Sequence, residues 1–135
     1  MTTSKFTPRA RRALAGIVST LTLGAVLANP AVAWADELVT YEVVSDHIDT
    51  ANIEYQDATG RLWAVHAPLP WRIDANVRAV RDAPPHGSQV RAHWREKASP
   101  GRWVTVRIIY RGEVLCQNTL DLGNAACYGI TNRIT

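Results

Sequence analysis

Two cysteines are the residues of this chain whose spacing most narrowly limits their chemistry. Cys116 and Cys127 are the only cysteines, and they stand too far apart for the short Cys-x2-4-Cys spacing of zinc sites. In a chain that leaves the reducing cytoplasm, an even cysteine count indicates a disulfide. Such a bridge closes a loop of about 12 residues and stabilises a fold by about 3 kcal/mol in the chain-entropy description.

The remaining candidates for catalysis or metal binding form no pattern. A catalytic zinc site needs about three converging ligands, but the histidines make no His-x-His or His-x-x-x-His pair. No Gly-x-Ser-x-Gly elbow marks a nucleophile, and no glycine-rich phosphate loop occurs. The dispersed carboxylates leave a small secreted hydrolase as a disfavoured alternative. We therefore expect a non-enzymatic protein with no metal and no cofactor. The histidines, interpreted as structural or solvated, are His47, His66, His86 and His93.

Tryptophan and arginine favour a different chemistry, the binding of a partner or ligand. Both residue types are enriched in interface hot spots, and the arginine fork binds carboxylate or phosphate through two hydrogen bonds. Burial in the core is the alternative for each tryptophan, and a solvated strand face is the alternative for each arginine. The candidate surface comprises Trp71, Arg72, Trp94, Arg102 and Trp103.

The first 35 residues have the three parts of a secretory signal: a basic start, an apolar run and small residues at a cleavage site. The apolar run extends only from Ala13 to Ala28, whereas a membrane-spanning helix needs about 20 residues. A cleaved signal is therefore favoured over an uncleaved anchor, and both remain open. We divide the chain into this segment (1–35) and one domain (36–135). We expect an extracytoplasmic protein, secreted or anchored on the outer side of the cytoplasmic membrane.

The basic excess of the chain resides in that segment. It holds four basic residues and no acidic one, so the chain's 15 Lys and Arg fall to 11 in residues 36–135, against 12 Asp and Glu. Binding to nucleic acid requires a basic face on the folded domain. We therefore expect no nucleic-acid partner.

Alternation of apolar and polar residues predicts strands through most of the domain. Turn signals every 8–12 residues predict an all-β sandwich or barrel of seven or eight strands. A two-residue turn at Arg111-Gly112 places Tyr110 opposite Glu113 and Arg107 opposite Cys116. The disulfide then ties the last strand to its neighbour. The predicted strands cover residues 39–43, 52–56, 62–66, 72–80, 89–95, 103–110, 113–118 and 125–130.

Several short motifs, taken in order, resemble the MmpS family of small mycobacterial membrane proteins over about residues 39–130. Two departures concern the N-terminal segment, which family members usually keep as an anchor, and the first cysteine, which usually lies near the position of Val106. The motifs are Val39-Thr40-Tyr41-Glu42-Val43, Ile53-Glu54-Tyr55-Gln56-Asp57 with Gly60, Leu69-Pro70-Trp71, and Gly112-Glu113-Val114 with Asn118 and Cys127.

The resemblance implies an immunoglobulin-like antiparallel β-sandwich of about seven strands on the outer side of the membrane. It also implies an accessory role beside MmpL transporters of the resistance-nodulation-division (RND) type, which export lipids, siderophores or drugs, and it brings no catalytic residues. The expected function is an envelope module that binds such a transporter or its amphiphilic, lipid-like cargo. Membrane association would run through the N-terminal segment. The alternative is a freely secreted binding or adhesion module.

Overall fold

The computed structural model describes residues 36–135, and the predicted signal or anchor segment lies outside the described residues. These residues form nine strands and one short 3-10 helix. The helix is Arg95–Lys97, and none of the helical structure in the described part of the chain is long and apolar enough to cross a membrane. The strands are β1 (Glu37–Val44), β2 (Thr50–Asp57), β3 (Gly60–Pro68), β4 (Trp71–Val77), β5 (Gln89–His93), β6 (Val104–Tyr110), β7 (Glu113–Leu120), β8 (Asn124–Tyr128) and β9 (Arg133–Ile134).

The strands build two sheets that pack face to face, which confirms the predicted antiparallel β-sandwich. Sheet A has five strands in the order β4-β1-β6-β7-β9, and sheet B has four in the order β3-β2-β5-β8. Every pairing is antiparallel except that of β7 with the two-residue β9. The last strand was not predicted, because two residues are too few to show alternation.

Alternate residues of each strand fill the space between the sheets. Along β1, Val39, Tyr41 and Val43 are buried, and the residues between them are more exposed. Sheet B contributes Ile53 and Val90 from its inner face. This period of two follows from the pleat, which turns successive side chains to opposite faces.

Tyr41 connects the two sheets through its hydroxyl group. The hydroxyl donates to the carbonyl of Gln56 (2.7 Å) and accepts from the amide of Gln89 (3.1 Å). These two backbone groups lie one residue beyond Tyr55 and Val90, the last pair of the β2–β5 ladder: Gln56 follows Tyr55, and Gln89 precedes Val90. A side chain of sheet A therefore satisfies backbone groups of sheet B that the ladder leaves without a partner.

The predicted disulfide between Cys116 and Cys127 is present, and it joins the two sheets. The Cα atoms are 5.7 Å apart, and both side chains are buried. Cys116 lies on β7 of sheet A and Cys127 on β8 of sheet B. We had expected the bridge to tie two neighbouring strands of one sheet. It instead crosses the core from one sheet to the other.

One predicted pairing in the β6–β7 hairpin is wrong by a single residue. Tyr110 does lie opposite Glu113, but Cys116 lies opposite Ile108, and Arg107 lies opposite Gln117. The register shifts between Ile108 and Ile109, as a β-bulge on β7 requires. The extra residue lets Leu115 and Cys116 both be buried, which strict alternation does not allow.

Besides β8, which ends at Tyr128 instead of residue 130, two predicted strands end earlier than the alternation indicated. β4 stops at Val77 instead of residue 80, and the chain then turns through the Pro84-Pro85 segment. β5 stops at His93 instead of residue 95, because the 3-10 helix begins at Arg95. The second of these endings shapes the pocket described below.

Candidate functional site

The outer face of sheet A carries charged and polar side chains that pair with one another. Glu42 accepts hydrogen bonds from Arg72 (2.9 Å) and from Arg107 (2.6 Å). Arg107 also donates to the side-chain oxygen of Gln117 (2.6 Å). Arg72, a candidate for ligand binding, therefore has its guanidinium group engaged with a neighbouring strand.

Two of the three tryptophan candidates, Trp71 and Trp94, are not free surface groups. Trp71 is half-buried, with its ring centroid 5.4 Å from that of Tyr55 at the edge of the core. Trp94 is only 3% exposed, so its place in an exposed aromatic patch was wrong. It continues the inward phase of Val90 and Ala92 beyond the end of β5, and its amide donates to the carbonyl of Gly123 (2.8 Å).

Trp103 and Arg102 do lie side by side on the surface, at the end of the sandwich where β1 finishes. Trp103 is 49% exposed, and its carbonyl accepts a hydrogen bond from the hydroxyl of Ser45 (2.6 Å). Arg102 donates to the carbonyl of His47 (2.9 Å). These bonds attach the segment before β6 to the loop after β1: the first holds the Trp103 carbonyl, and the second holds the Arg102 side chain.

The turn between β7 and β8 extends this surface. The amide of Gly101 donates to the carboxylate of Asp121 (2.9 Å), and the adjacent Leu122 is 72% exposed. Together, Arg102, Trp103 and Leu122 define what we call the Trp103 end. β1 begins at the opposite end of the sandwich, about 25 Å away at 3.3 Å per residue.

The outer face of sheet B differs in character from that of sheet A. Trp63 on the edge strand β3 is 57% exposed, and Val65 beside it is also exposed. Glu54, opposite Trp63 on β2, is buried beneath this face and forms an ion pair with Arg61 at 2.8 Å that is not an aligned hydrogen bond. We call the surface carrying Trp63, Val65 and Arg61 the Trp63 face. Sequence reasoning missed it, because alternation shows that Trp63 faces away from the core but not that nothing covers it.

A pocket of about 150 Å³ opens beside the Trp63 face. His66 of β3 and His93 of β5 line it together with Asn52 of β2, and Trp94 contributes the buried part of the wall. We had interpreted both histidines as structural, and no sequence pattern brings together two histidines 27 positions apart. Arg95, Glu96 and Lys97 of the 3-10 helix complete the rim.

Charges near this pocket are paired. Lys97 is 2.5 Å from the carboxylate of Asp49 and also donates to the hydroxyl of Thr50. The hydrogen bond and charge of Lys97 lower the pKa of Asp49, so the carboxylate stays ionised at neutral pH. Arg95 and Glu96 add one charge of each sign.

A second, wider cavity of about 520 Å³ lies around Glu37, at the end of the sandwich where β1 begins. The Glu37 carboxylate accepts from the hydroxyl of Tyr110 (2.6 Å) and from the amide of Val80 (2.9 Å). These hydrogen bonds lower the pKa of Glu37, and the carboxylate raises the pKa of Tyr110. Both oxygens of Glu37 are thus occupied in holding three segments together, so we interpret this cavity as structural.

Residues 36–135 contain no group of three or more His, Cys, Asp or Glu side chains placed to hold a metal ion. No protein-family model matches the chain, and no curated protein sequence matches it. The candidate site therefore rests on the geometry of the Trp103 end and the Trp63 face.

Proposed function

We propose that this chain is an exported, non-enzymatic binding module of the cell envelope, an accessory of the MmpS type to an RND (MmpL) exporter of lipids, siderophores or drugs. The module binds the exporter or its amphiphilic cargo and carries out no covalent step. The small-residue cleavage motif and the disulfide support export, because disulfides persist in oxidising compartments.

One observation carries this proposal: Trp103 is left half-exposed although Ser45 holds its backbone carbonyl. Each Å² of apolar surface that the indole leaves in water forgoes about 25 cal/mol of burial free energy. No contact of the indole within residues 36–135 offsets this loss. A rigid tryptophan beside an arginine has the composition of an interface hot spot. Since Ser45 already holds the Trp103 carbonyl and His47 already holds the Arg102 side chain, little ordering entropy is lost when a partner docks.

The Trp103 end is preferred over the outer face of sheet A as the docking surface. On sheet A, a partner would have to compete with the hydrogen bonds among Glu42, Arg72 and Arg107. At the Trp103 end, the side chains of Trp103 and Leu122 make no such hydrogen bonds with other residues of the range 36–135. Arg102 keeps guanidinium donors beyond its single bond to His47 for a carboxylate of the docked protein.

Site-specific photo-crosslinking in the organism of origin tests the proposal. A photoreactive amino acid replaces Trp103 in one variant and Trp63, an equally exposed tryptophan on another surface, in the control. We expect the substitution at 103 to yield an adduct whose larger component is identified by mass spectrometry as an RND-type permease. The substitution at 63 should yield far less of it.

Affinity gives a second measure of the same docking. The double substitution Arg102→Ala and Trp103→Ala should weaken capture of the identified permease by about tenfold or more, as loss of a hot spot does. If neither position crosslinks to a permease, or if both do so equally, docking through the Trp103 end is refuted.

The second candidate, a freely secreted binding module, is favoured by the Ala33-Trp34-Ala35 motif. Cleavage there would release the domain from the membrane. This candidate predicts a chain that begins near Trp34 or Asp36 and is recovered from the medium without a permease.

A further inference from the structure

The pocket beside the Trp63 face contains a strained residue at its rim. His66 has φ of 51°, in the left-handed region that non-glycine residues rarely adopt. It belongs to a bulge on β3, where the pairing passes from Ala51 to Ile53 on β2. The amide of His66 donates to the side-chain oxygen of Asn52 (2.9 Å), which holds this conformation. Strained bulges of this kind serve to redirect a side chain, here a histidine that lines the pocket.

The wall of the pocket contains a polar group without a partner. Trp94 is 97% buried, and its indole N–H finds no acceptor among the protein atoms of residues 36–135. A buried donor left unpaired costs about 1–3 kcal/mol. Trp94 lines the pocket, but its N–H is closed to solvent, so a ligand oxygen would reach it after a small shift of the ring and would then recover part of this cost.

An aromatic platform stands next to the pocket. The rings of Trp63 and His93 are stacked, with centroids 6.3 Å apart and planes inclined at 26°. His93 also lines the pocket, so the platform and the pocket share one side chain. More than half of the Trp63 surface remains open to solvent, which leaves room for a second flat, weakly polar ring to lie on it.

We propose that this pocket binds a single neutral sugar residue of a glycan, with the next residue lying on Trp63. The lining offers both donors, the Trp94 indole and the Asn52 amide, and acceptors, the Glu96 carboxylate and the Thr50 hydroxyl. Hydroxyl groups both donate and accept, so they match such a mixed lining. The C–H groups on one face of a sugar ring are slightly positive, and they match the negative face of an indole.

The charge and size of the pocket favour a neutral sugar over a charged ligand and over a lipid-like amphiphile. The pairing of Lys97 with Asp49 and the opposite charges of Arg95 and Glu96 leave no excess of either sign, which favours an uncharged ligand. Pockets that enclose drug-sized molecules have about 300–1,000 Å³. At about 150 Å³, this pocket holds one ring of a longer chain and not the body of a lipid-like amphiphile.

Titration with soluble neutral oligosaccharides tests the assignment on the intact protein. The probes are oligomers of glucose, mannose and galactose, with oligomers of galacturonic acid as the charged counterpart. We expect saturable binding to at least one neutral series. Calorimetry and the change in tryptophan emission measure this binding. Trp63→Ala should weaken this binding about tenfold, while the matched variant Trp103→Ala leaves it unchanged.

Trp94→Phe tests the indole donor, because it keeps an aromatic ring in the wall and removes only the N–H. It should weaken binding severalfold; if the variant does not fold, Trp63→Ala alone decides. The assignment is overturned if no neutral series binds, if the uronic acid binds more tightly, or if both Trp63→Ala and Trp94→Phe bind as the unsubstituted protein does.

Sugar binding and exporter docking fail or succeed separately. The protein would reach an envelope glycan only through the proposed export, so that part of the inference rests on the proposed function. The pocket itself does not depend on the Trp103 end. Loss of crosslinking at 103 with intact sugar binding would refute the exporter role alone. Loss of sugar binding with intact crosslinking would refute the pocket alone.

Discussion

At the scale of single residues, Tyr41 shows how one polar atom can hold the two sheets together. Its ring is completely buried, and burial raises the pKa of its hydroxyl well above the usual value. The neutral phenol both donates and accepts, so it pairs with a carbonyl and an amide at once. A buried backbone group without a partner costs about as much as a lost hydrogen bond.

Tyr41→Phe is therefore expected to destabilise the domain by about 1–3 kcal/mol, because it leaves Gln56 and Gln89 each with an unpaired backbone group. Urea unfolding at neutral pH measures the change. Tyr55→Phe is the matched control, since Tyr55 is half-buried in the same cluster and its hydroxyl makes no hydrogen bond within residues 36–135. Equal losses in the two variants would contradict the role given to the Tyr41 hydroxyl.

The candidate residues show which properties of a side chain the sequence predicts. For Trp94 the alternative of burial in the core holds, because its side chain is buried with those of Val90 and Ala92. Trp103 fulfils its predicted exposure because it precedes β6 and has no facing strand. The pocket escaped prediction, because it depends on the bulge that carries His66 and on the 3-10 helix at Arg95.

At the scale of elements, alternation predicted where the longer strands lie, but not where β4 and β5 end or where the β6–β7 register shifts. β1 through β3 match the predicted ranges to within a few residues. The β6–β7 register failed because a bulge adds a residue that no local signal announces, which brings Leu115 and Cys116 inward together. Disulfide pairing followed from the cysteine count alone, whereas its course across the core depended on which sheet each strand joins.

Glu37 links β1 to β6 and to the segment after β4, and the strength of this link depends on pH. Its folded-state pKa is lowered, so its stabilising effect is present above the unfolded pKa of about 4.3 and is lost as the pH falls through the folded value. Glu37→Gln removes one of the two acceptors that β6 and the segment after β4 use. The variant should be about 1 kcal/mol less stable at neutral pH.

Urea unfolding of the protein and of Glu37→Gln at about pH 7 and about pH 3 measures this dependence. We expect the difference between them to shrink at the lower pH. Glu113→Gln is the control, because Glu113 lines the same cavity without a hydrogen bond from its side chain in the described residues. A difference that stays constant with pH would show that the charge of Glu37 has no part in holding these segments.

At the scale of the whole molecule, the sandwich has three surfaces of different character. Ion pairs engage the charged side chains on the outer face of sheet A, the Trp103 end is the proposed docking surface, and the Trp63 face borders the pocket. The inter-sheet disulfide between Cys116 and Cys127 adds about 3 kcal/mol by the loop-closure argument. Such a bridge matters in a domain of this size, because a small domain buries a modest share of its surface.

Both candidate functions require export from the cytoplasm, and the intact mass of the protein in separate cytoplasmic, membrane and medium fractions tests export most directly. We predict that the chain is found outside the cytoplasm and that reduction raises its mass by two hydrogen atoms, as the Cys116–Cys127 bridge requires. The N-terminus in the same spectrum separates an anchored accessory from a chain released near Trp34 or Asp36. A full-length protein confined to the cytoplasm with both thiols free would contradict the account.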